Sequence, residues 1–377
     1  MNAAAVPPVA DAWRILQKLF APHRAQVPSP GKSAPSVRRA VALQFACLLI
    51  VGASPASAQL IATNQGGVLS VLEENDLVVR TDRHYTQGIK LSFLQADGAV
   101  PRVAAQMLNQ VPARGYEPNA LKFGYQIGQS MYTPANIRTS APLPLDRPYG
   151  GWLYTGFILQ RRGETAGHTP VLENFALDLG VIGPESLAEE AQTWVHELRG
   201  IRLPKGWDNQ LRTEPGLNLK YERSYLFRSS WTSAFAVDLI PRAGFSLGNV
   251  DTSARAGALL RAGWNLPGNF GVQTIDSLTT PEGGLPPGCV DWRKNLGFYG
   301  FLGAEGRAVG HNAFLDGNLW RGGPHVEKEP FVGEMRAGFA VRLGRCTIGY
   351  TYVARTPEFR LQPQHDSYGS VFGQVLF

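Results

Sequence analysis

Charged residues are scarce in this 377-residue chain: Asp, Glu, Lys and Arg make up 18% of it, against about 25% in typical soluble domains. The formal net charge of +6 comes mostly from residues 1–58, where six Lys or Arg residues outnumber one acidic residue and give +5. The remainder therefore carries only 6 − 5 = +1. A chain so close to neutral has no general basic face for phosphate backbones, which excludes nucleic acid as the partner.

The chain also lacks a run of apolar residues long enough to form a membrane helix. Residues 40–53 are uncharged and mostly apolar, but a spanning helix needs about 20 such residues. The run follows Arg38-Arg39 and precedes Ala56-Ser57-Ala58, an arrangement typical of a secretory signal with a cleavage site. We predict that residues 1–58 form an N-terminal extension and signal peptide, and that residues 59–377 form the mature domain.

Cysteine is nearly absent. Of the three cysteines, Cys289 and Cys346 would remain after cleavage, and an oxidising compartment would allow them to pair or to stay as two thiols. The sequence contains neither a Cys pair at zinc-binding spacing nor a His-Glu-x-x-His motif, so no zinc site is predicted.

What the mature chain does contain is alternation. In residues 121–129 the apolar side chains of Leu121, Phe123, Tyr125 and Ile127 alternate with Lys122, Gly124, Gln126 and Gly128, a period of two that predicts a strand. Twelve such segments are predicted. They lie at residues 68–76, 86–95, 121–129, 151–161, 175–181, 217–222, 231–245, 255–266, 295–313, 329–343, 346–356 and 366–377.

The polar faces of these segments decide between a soluble fold and a membrane barrel. They carry charged side chains, namely Asp178, Lys220, Glu222, Glu334, Arg336 and Arg342. A soluble core would exclude them, whereas the lumen of an outer-membrane barrel accepts them. The C-terminal aromatic residue Phe377 is also a common trait of such barrels. We therefore predict an all-β fold, a 12-stranded antiparallel transmembrane outer-membrane β-barrel. Trp152 and Tyr154 are expected to be aromatic residues of the membrane interface.

If the first strand runs outward, alternate connections share one side of the membrane. The predicted extracellular connections are residues 77–85, 132–150, 183–213, 246–254, 314–328 and 357–365. Within the third of these, residues 184–198 are rich in helix formers and have acidic residues near their start, which predicts a short surface helix. On that helix Gln192 and His196 are four residues apart and share a face.

Several polar motifs gather at the extracellular ends of the predicted strands. They are Asn75-Asp76, Thr81-Asp82-Arg83-His84-Tyr85-Thr86-Gln87-Gly88, Asp146-Arg147-Pro148-Tyr149-Gly150-Gly151-Trp152, Gly183-Pro184, Gln192 with His196, and Gly206-Trp207 with Gln210-Leu211. In this order the motifs closely resemble those of the outer-membrane lipid A deacylase family, the calcium-dependent 3′-O-deacylases. The resemblance extends from about Val71 to Phe377.

The resemblance implies a twelve-stranded barrel in the bacterial outer membrane that removes an ester-linked 3′-acyloxyacyl chain from lipid A, with the active site on the extracellular side. It places the catalytic groups on Asn75, Asp76, Thr86, Gln192 and His196. His is a base near neutral pH, and Asn75 and Asp76 offer the hard oxygen ligands that suit Ca²⁺, which would stabilise an oxyanion.

Three further expectations concern the substrate, the residue that contacts its phosphates and the oligomeric state. The substrate would be lipid A or lipopolysaccharide, and the protein is expected to act as a monomer. Arg138 is the one basic residue kept in Ala135-Asn136-Ile137-Arg138, where some family members carry several that could face the lipid A phosphates. It is therefore the predicted substrate-binding residue.

Two other functions remain open on sequence. Gly244-Phe245-Ser246-Leu247-Gly248 matches the nucleophile elbow of serine hydrolases, which would make the protein a serine-type lipase or phospholipase. That elbow requires a strand, a sharp turn and a helix, and here the match ends a predicted strand. A channel or binding barrel without catalysis is the second alternative, but a pore does not need the polar cluster described above.

Overall fold

The structure is a computed structural model, which describes residues 66–76, 84–232, 234–272, 274–275 and 296–377. The predicted signal segment, residues 1–58, lies outside the described residues, as does Cys289. Cys346 is exposed. The pairing of these two cysteines therefore stays an open question of the sequence.

The described strands form one closed antiparallel barrel. Their bounds are β1 (Val68–Asn75), β2 (His84–Leu94), β3 (Glu117–Thr133), β4 (Gly150–Glu164), β5 (Pro170–Ile182), β6 (Glu214–Tyr225), β7 (Phe227–Ser230), β8 (Phe235–Gly248), β9 (Asp251–Trp264), β10 (Leu296–Asn312), β11 (Phe331–Leu343), β12 (Cys346–Arg355) and β13 (Asp366–Leu376). Apart from β6 and β7, each strand pairs with its neighbours in the chain, and β1 closes the ring by pairing with β13. Both β6 and β7 pair with β8, where Ser224 lies opposite Arg242 and Phe227 opposite Leu239. The two segments are therefore one strand interrupted at Leu226, which gives the predicted twelve.

The lumen contains the charged side chains that the alternation assigned to it. Lys220 forms an ion pair with Asp178 at 2.9 Å between Nζ and Oδ2, and Arg336 pairs with Glu334 at 2.5 Å. These groups are buried among one another rather than in contact with lipid, as expected for the inside of a membrane barrel.

A segment after β9 fills the lumen. Residues 266–272 and 274–275 turn back inside, and Phe270 is buried among the apolar lumen side chains. At the far end of the segment the Ile275 amide donates a hydrogen bond to Glu74 at 2.9 Å. The Lys90 ammonium donates to the carbonyl oxygens of Thr274 and Ile275, each at 3.2 Å. The described part of the lumen is therefore occupied by the chain itself.

The described connections contain three α-helices: α1 (Arg102–Asn109), α2 (Ala188–Arg199) and α3 (Ala313–Asp316). No helix in the described part of the chain is both long enough and apolar enough to cross a bilayer. The predicted surface helix is α2, but it starts later than expected because Leu187 adopts a left-handed conformation that separates it from a 3₁₀ turn at Pro184–Ser186. It ends at Gly200, which is also left-handed with φ of 65°, as helix C-termini favour.

The two longer helices lie at opposite ends of the barrel, and we call these the α1 end and the α2 end. Both pack on the outside of the wall. Leu121 and Phe123, expected to meet lipid, are instead buried under α1 with Ala105 and Leu108. The alternation correctly identified their face, but it carried no information about a helix covering that face.

Two further expectations are settled by strand register. Trp152 and Tyr154 are not interface aromatics: both are buried in the lumen, with ring centroids 5.5 Å apart. The Gly244–Gly248 match lies entirely within β8, and β9 begins at Asp251 without an intervening helix. Ser246 accepts a hydrogen bond from Asn218 Nδ2 at 3.0 Å, so the residue belongs to a barrel strand and not to a nucleophile elbow.

Candidate active site

The first part of the site lies where β1 and β2 meet at the α2 end. Asn75, the last residue of β1, pairs with Gln87 on β2 and with Gly369 on β13. A β-bulge between Tyr85 and Gln87 makes Thr86 an extra residue next to this pair. The register therefore brings Asn75, Asp76 and Thr86 together, as the hairpin predicted. All three are buried.

The bulge also turns the Thr86 side chain toward the outer face of the wall. Its hydroxyl lies 2.7 Å from the hydroxyl of Thr133 on β3. Thr133 and Met131 are two residues apart and so share a face of that strand. Met131 packs with Ala188 and Trp207 on the outside of the barrel. A bulge commonly redirects a side chain near a functional site, and here it places Thr86 beside the surface that α2 covers.

Helix α2 starts directly on the barrel wall because β4 has a glycine there. A Cβ atom at Gly151 would lie 2.0 Å from Ser186 Oγ and 2.4 Å from Ala188 Cβ. The contact is fixed by two hydrogen bonds, one from the Gly183 amide to the Gly151 carbonyl oxygen at 3.1 Å and one from Gln129 Nε2 to the Ser186 carbonyl oxygen at 2.6 Å. The helix is thereby held with one face toward the wall.

That face carries the two predicted catalytic residues of the helix. Ala188, Gln192 and His196 follow one another at intervals of four and are the buried residues of α2. Gln192 Oε1 accepts a hydrogen bond from the indole of Trp207 at 2.8 Å. Its amide Nε2 is buried and has no hydrogen-bond partner among the described residues. Gln192 is thus oriented by Trp207 and keeps a donor available.

The hydrogen bonding of His196 fixes its tautomer. Only 2% of the residue is exposed, and its Nδ1 lies 2.7 Å from the backbone carbonyl oxygen of Arg202. A carbonyl oxygen can only accept, so Nδ1 must carry the proton and Nε2 must keep its lone pair in the neutral ring. Nε2 makes no hydrogen bond to the described residues. In the neutral ring, the hydrogen bond to Arg202 therefore selects the tautomer that keeps the lone pair on Nε2.

We use the name α2 site for Asn75, Asp76, Thr86, Gln192 and His196. Strand β3 connects the half on the wall with the half on the helix. Met131 on this strand packs with Trp207, and Thr133 on the same strand is the hydroxyl partner of Thr86. His196 makes no direct hydrogen bond to the other members. The structure thus places all five on one side and at one end of the barrel, with the wall and the helix as separate halves.

The oxygen donors of the site suit a hard cation. Asn75 and Asp76 offer an amide and a carboxylate oxygen at the buried end of β1, and calcium prefers six to eight oxygen ligands, including carbonyls and water. No group of three or more His, Cys, Asp or Glu residues that could hold a metal occurs in the described part of the chain. Asn75 and Asp76 therefore fit calcium in kind, with its remaining ligands coming from backbone oxygens, water or substrate.

Arg138 lies in the connection over the site rather than inside it. The residue is exposed, and its backbone amide donates a hydrogen bond to Asn136 Oδ1 at 3.1 Å. The neighbouring Ile137 carbonyl oxygen accepts from the Lys205 amide at 2.9 Å. Lys205 is also exposed, so folding brings a second basic residue close to Arg138 from a distant part of the sequence.

A neighbouring cluster in the lumen mouth is structural. Nδ1 of His84 contacts Asp366 at 2.8 Å and its Nε2 lies 3.4 Å from Asp146. Burial raises the pKa of Asp146, but hydrogen bonds with His84 and with the backbone amides of Ala135 and Arg147 lower it below its ordinary value overall. Asp146 thus stays ionised and connects residues 134–149 to the barrel through His84.

Three residues that contact members of the α2 site had no role assigned from the sequence. Trp207 orients Gln192, the backbone of Arg202 orients His196, and Thr133 is the hydroxyl partner of Thr86. Gly206-Trp207 was among the motifs, and Tyr132-Thr133-Pro134 is a further polar segment at an extracellular strand end. The Arg202 carbonyl oxygen has no sequence signal, because it acts only through its place in the fold.

The comparisons with known proteins decide the family. The family model described as "Outer membrane protein LpxR" matches residues 43–377. The chain belongs to the LpxR family. The motif-based identification of an outer-membrane lipid A deacylase family protein is thereby confirmed at the level of the family.

One solved structure supports the same barrel fold. LpxR from Salmonella typhimurium is 20% identical in sequence, with a TM-score of 0.65, and the match covers 82% of this chain and 100% of that one. The β domain of the Bordetella autotransporter BrkA is 8% identical, with a TM-score of 0.39 over 83% of this chain and 100% of that chain. A search of curated protein sequences gave no match. This LpxR-family chain is accordingly an outer-membrane β-barrel.

Proposed function

We propose that this LpxR-family barrel is a carboxylic ester hydrolase that removes the ester-linked 3′-acyloxyacyl chain of lipid A in the outer leaflet. The observation that carries the proposal is His196, buried between α2 and the barrel wall with Nδ1 donating to the Arg202 carbonyl oxygen. Its Nε2 lone pair is a general base at neutral pH. The base lies on the outer side of the wall, the side from which a substrate held in the membrane would approach.

In the proposed reaction His196 Nε2 takes a proton from water as the water oxygen attacks the ester carbonyl carbon. The carbonyl π electrons move to the oxygen, which becomes an oxyanion. When that tetrahedral species collapses, the ester C–O bond breaks and the sugar oxygen leaves with the proton returned by His196. A free acid and an alcohol result. Gln192 Nε2 and the Thr86 hydroxyl would orient water or the ester by hydrogen bonds.

Asn75 and Asp76 would hold calcium in this proposal, because they contribute hard oxygen atoms next to Thr86 in the strand register. When bound, the ion would supply positive charge where the oxyanion forms. Arg138, with Lys205 beside it, would attract the phosphates of lipid A from its exposed position. All of these groups come from a single chain, so we propose that the monomer is sufficient.

Two observations weigh against the alternatives. Ser246 lies in β8 and its hydroxyl accepts from Asn218 inside the barrel, and no histidine among the described residues forms a hydrogen bond with it. A channel is disfavoured because residues 266–275, where they are described, fill the lumen.

Mass spectrometry of lipid A tests the proposal. Cells that produce the protein with an outwardly accessible site should lose the mass of the 3′-acyloxyacyl group from lipid A, and cells without the protein should keep it. In detergent, a chelator should abolish the loss and added calcium should restore it. Unchanged lipid A under conditions in which the barrel is folded would contradict the activity, whereas full turnover in excess chelator would remove calcium alone from the proposal.

A further inference from the structure

Helix α1 is amphipathic, but the barrel covers only half of its apolar side. At about 100° per residue, its side chains fall into a polar arc and an apolar arc. The polar arc holds Arg102, Gln106 and Asn109, and the apolar arc holds Val103, Met107, Ala104, Leu108 and Ala105 in angular order. Ala105 and Leu108 are buried against the wall, whereas Val103 and Met107 are each 67% exposed. An apolar strip therefore remains on the side of the helix next to the wall contact.

The residues after α1 are clamped to the outer wall by an ion network. Glu173 is 1% exposed, and its carboxylate accepts from Arg161 and Arg223 at 2.5 Å each and from the hydroxyl of Tyr116 at 2.5 Å. The same two arginines reach the covering segment. Arg161 donates to the carbonyl oxygen of Val111 at 2.7 Å, and Arg223 donates to that of Arg114 at 3.0 Å.

These charges lie on the face of the barrel that elsewhere meets lipid. Arg161 shares its strand face with Phe157, and Glu173 shares its face with Phe175 and Leu177, because strand side chains alternate. An ionised side chain on the lipid face destabilises a barrel unless it is shielded. The segment that follows α1 provides that shield, so the surface presented to lipid at this level is α1 itself.

The exposed strip of α1 continues the apolar surface of the wall. Phe123 is buried beneath the helix, and its ring centroid lies 6.0 Å from that of Phe157. Tyr125, partly buried at the same contact, lies 5.8 Å from Phe157. Phe157 is 44% exposed. One apolar surface thus runs from the lipid-facing wall onto Met107 and Val103 without a polar break in these contacts.

We propose that α1 is an interfacial helix, which inserts Val103 and Met107 among the acyl chains of the leaflet at the α1 end and keeps Arg102 and Gln106 at the headgroups. An amphipathic helix with a basic residue on its polar face lies in this way at a membrane interface. If the α2 end faces outward, the α1 end lies in the inner leaflet, so α1 contacts phospholipid rather than lipid A. This assignment of the leaflet rests on the proposed function. The exposed strip is too small for a second copy, since stable protein interfaces bury about 1,200–2,000 Å².

Spin-label accessibility tests the proposal in the full-length barrel reconstituted into phosphatidylcholine vesicles. Cys289→Ser and Cys346→Ser remove the native thiols of the mature chain, and a nitroxide is attached at Met107→Cys or, as the matched control, at Gln106→Cys. Oxygen concentrates in the acyl region and a nickel chelate stays in water. We expect the ratio of oxygen to nickel collision rates to be at least several-fold higher at position 107 than at position 106.

Three results would decide the matter. Equal, water-like ratios at both positions would overturn the proposal, and so would spin–spin broadening at position 107 on raising the protein-to-lipid ratio, which would indicate a second copy. A high ratio at 107 alone supports it. Deacylation activity is measured separately, so failure of the helix proposal leaves the proposed reaction untouched. As a second measurement, Val103→Asp with Met107→Asp should shift the folding equilibrium in vesicles by roughly 2- to 10-fold, and Gln106→Asp with Asn109→Asp should not.

Discussion

A helix packs on the outer wall of the barrel at each end. The two contacts differ in how many of their buried polar groups have hydrogen-bond partners. Under α1 the Glu173 carboxylate accepts from two arginines and two tyrosine hydroxyls, so both of its oxygens are occupied. Under α2 the buried Gln192 side chain carries no charge, and both Gln192 and His196 keep a nitrogen that bonds to no described residue. The first arrangement stabilises the fold; in the proposed function, water or substrate would bind to the nitrogens of the second.

The difference shows that burial of polar groups has two physical outcomes on one barrel. Ionised groups removed from water require partners, since an unpaired buried charge costs several kcal/mol. Neutral groups cost less to leave partly unpaired, and a site can recover that cost when a ligand or water binds. The predictions below test whether the α2 contact acts on reaction rate and the α1 contact on stability.

The largest effect is expected at His196. His196→Ala removes the only histidine of helix α2, and turnover of lipid A should fall by roughly 10²- to 10⁴-fold, the usual loss when a general base is deleted. Heat-modifiable gel mobility should stay unchanged, because the side chain lies outside the barrel strands.

His168→Ala provides the matched control, since His168 lies on an exposed turn at the α1 end. Ser246→Ala should also remain active. An active His196→Ala protein beside an inactive Ser246→Ala protein would mean serine catalysis and would reverse our assignment of the site.

Removing the carboxylate under α1 should affect stability instead. Glu173→Gln keeps the size of the side chain but leaves Arg161 and Arg223 without their shared anion, which should lower the free energy of unfolding by about 3 kcal/mol. Urea unfolding in vesicles measures this loss. Glu164→Gln, about half exposed at the end of β4, should change little. If Glu173→Gln lowered turnover per folded molecule, the assignment of stability to the α1 contact and of reaction rate to the α2 contact would be wrong.

The contact of α2 with the wall can be altered without touching a proposed catalytic group. Gly151→Val places carbon atoms where Ser186 Oγ and Ala188 Cβ lie, so the start of α2 must move outward. A displacement near 1 Å can cost about 100-fold in rate, and we expect a loss of roughly 10- to 100-fold in turnover. Gly306→Val, where a Cβ meets no atom within 4 Å, should retain activity and thus serve as the comparison.

The smallest effect is expected for Asp146, which ties residues 134–149 to His84. Burial raises its pKa, but hydrogen bonds from His84 and two backbone amides bring it below the ordinary value. A carboxyl with a lowered pKa stabilises the fold above about pH 3.9 and loses that contribution as pH falls through its folded-state pKa. Asp146→Asn should therefore lose less stability between pH 5 and pH 3 than the parent in urea unfolding. Glu327→Gln, exposed on the surface, should behave like the parent.

The sequence predicted the strands and the sides of their connections because alternation and chain order are local properties. It also placed Gln192 and His196 on one helix face by their spacing, and Asn75 beside Thr86 by hairpin pairing. The sequence did not predict that Lys205 lies close to Arg138, because the two residues are 67 positions apart in the chain. Trp152 was misplaced because its residue type suits both an interface and a crowded lumen, and only register distinguishes the two.

Composition and periodicity by themselves determined that this chain folds as a membrane barrel, since a period of two with charged residues on one face has few other solutions. Only the tertiary structure showed which parts of the outer barrel face are covered by helices and therefore do not contact lipid. Helix α1 was invisible because eight residues carry too weak a periodic signal. The Thr86 bulge was invisible because an extra residue is defined only against its partner strand. Both depend on contacts between residues far apart in the chain, and such contacts cannot be read from any local pattern.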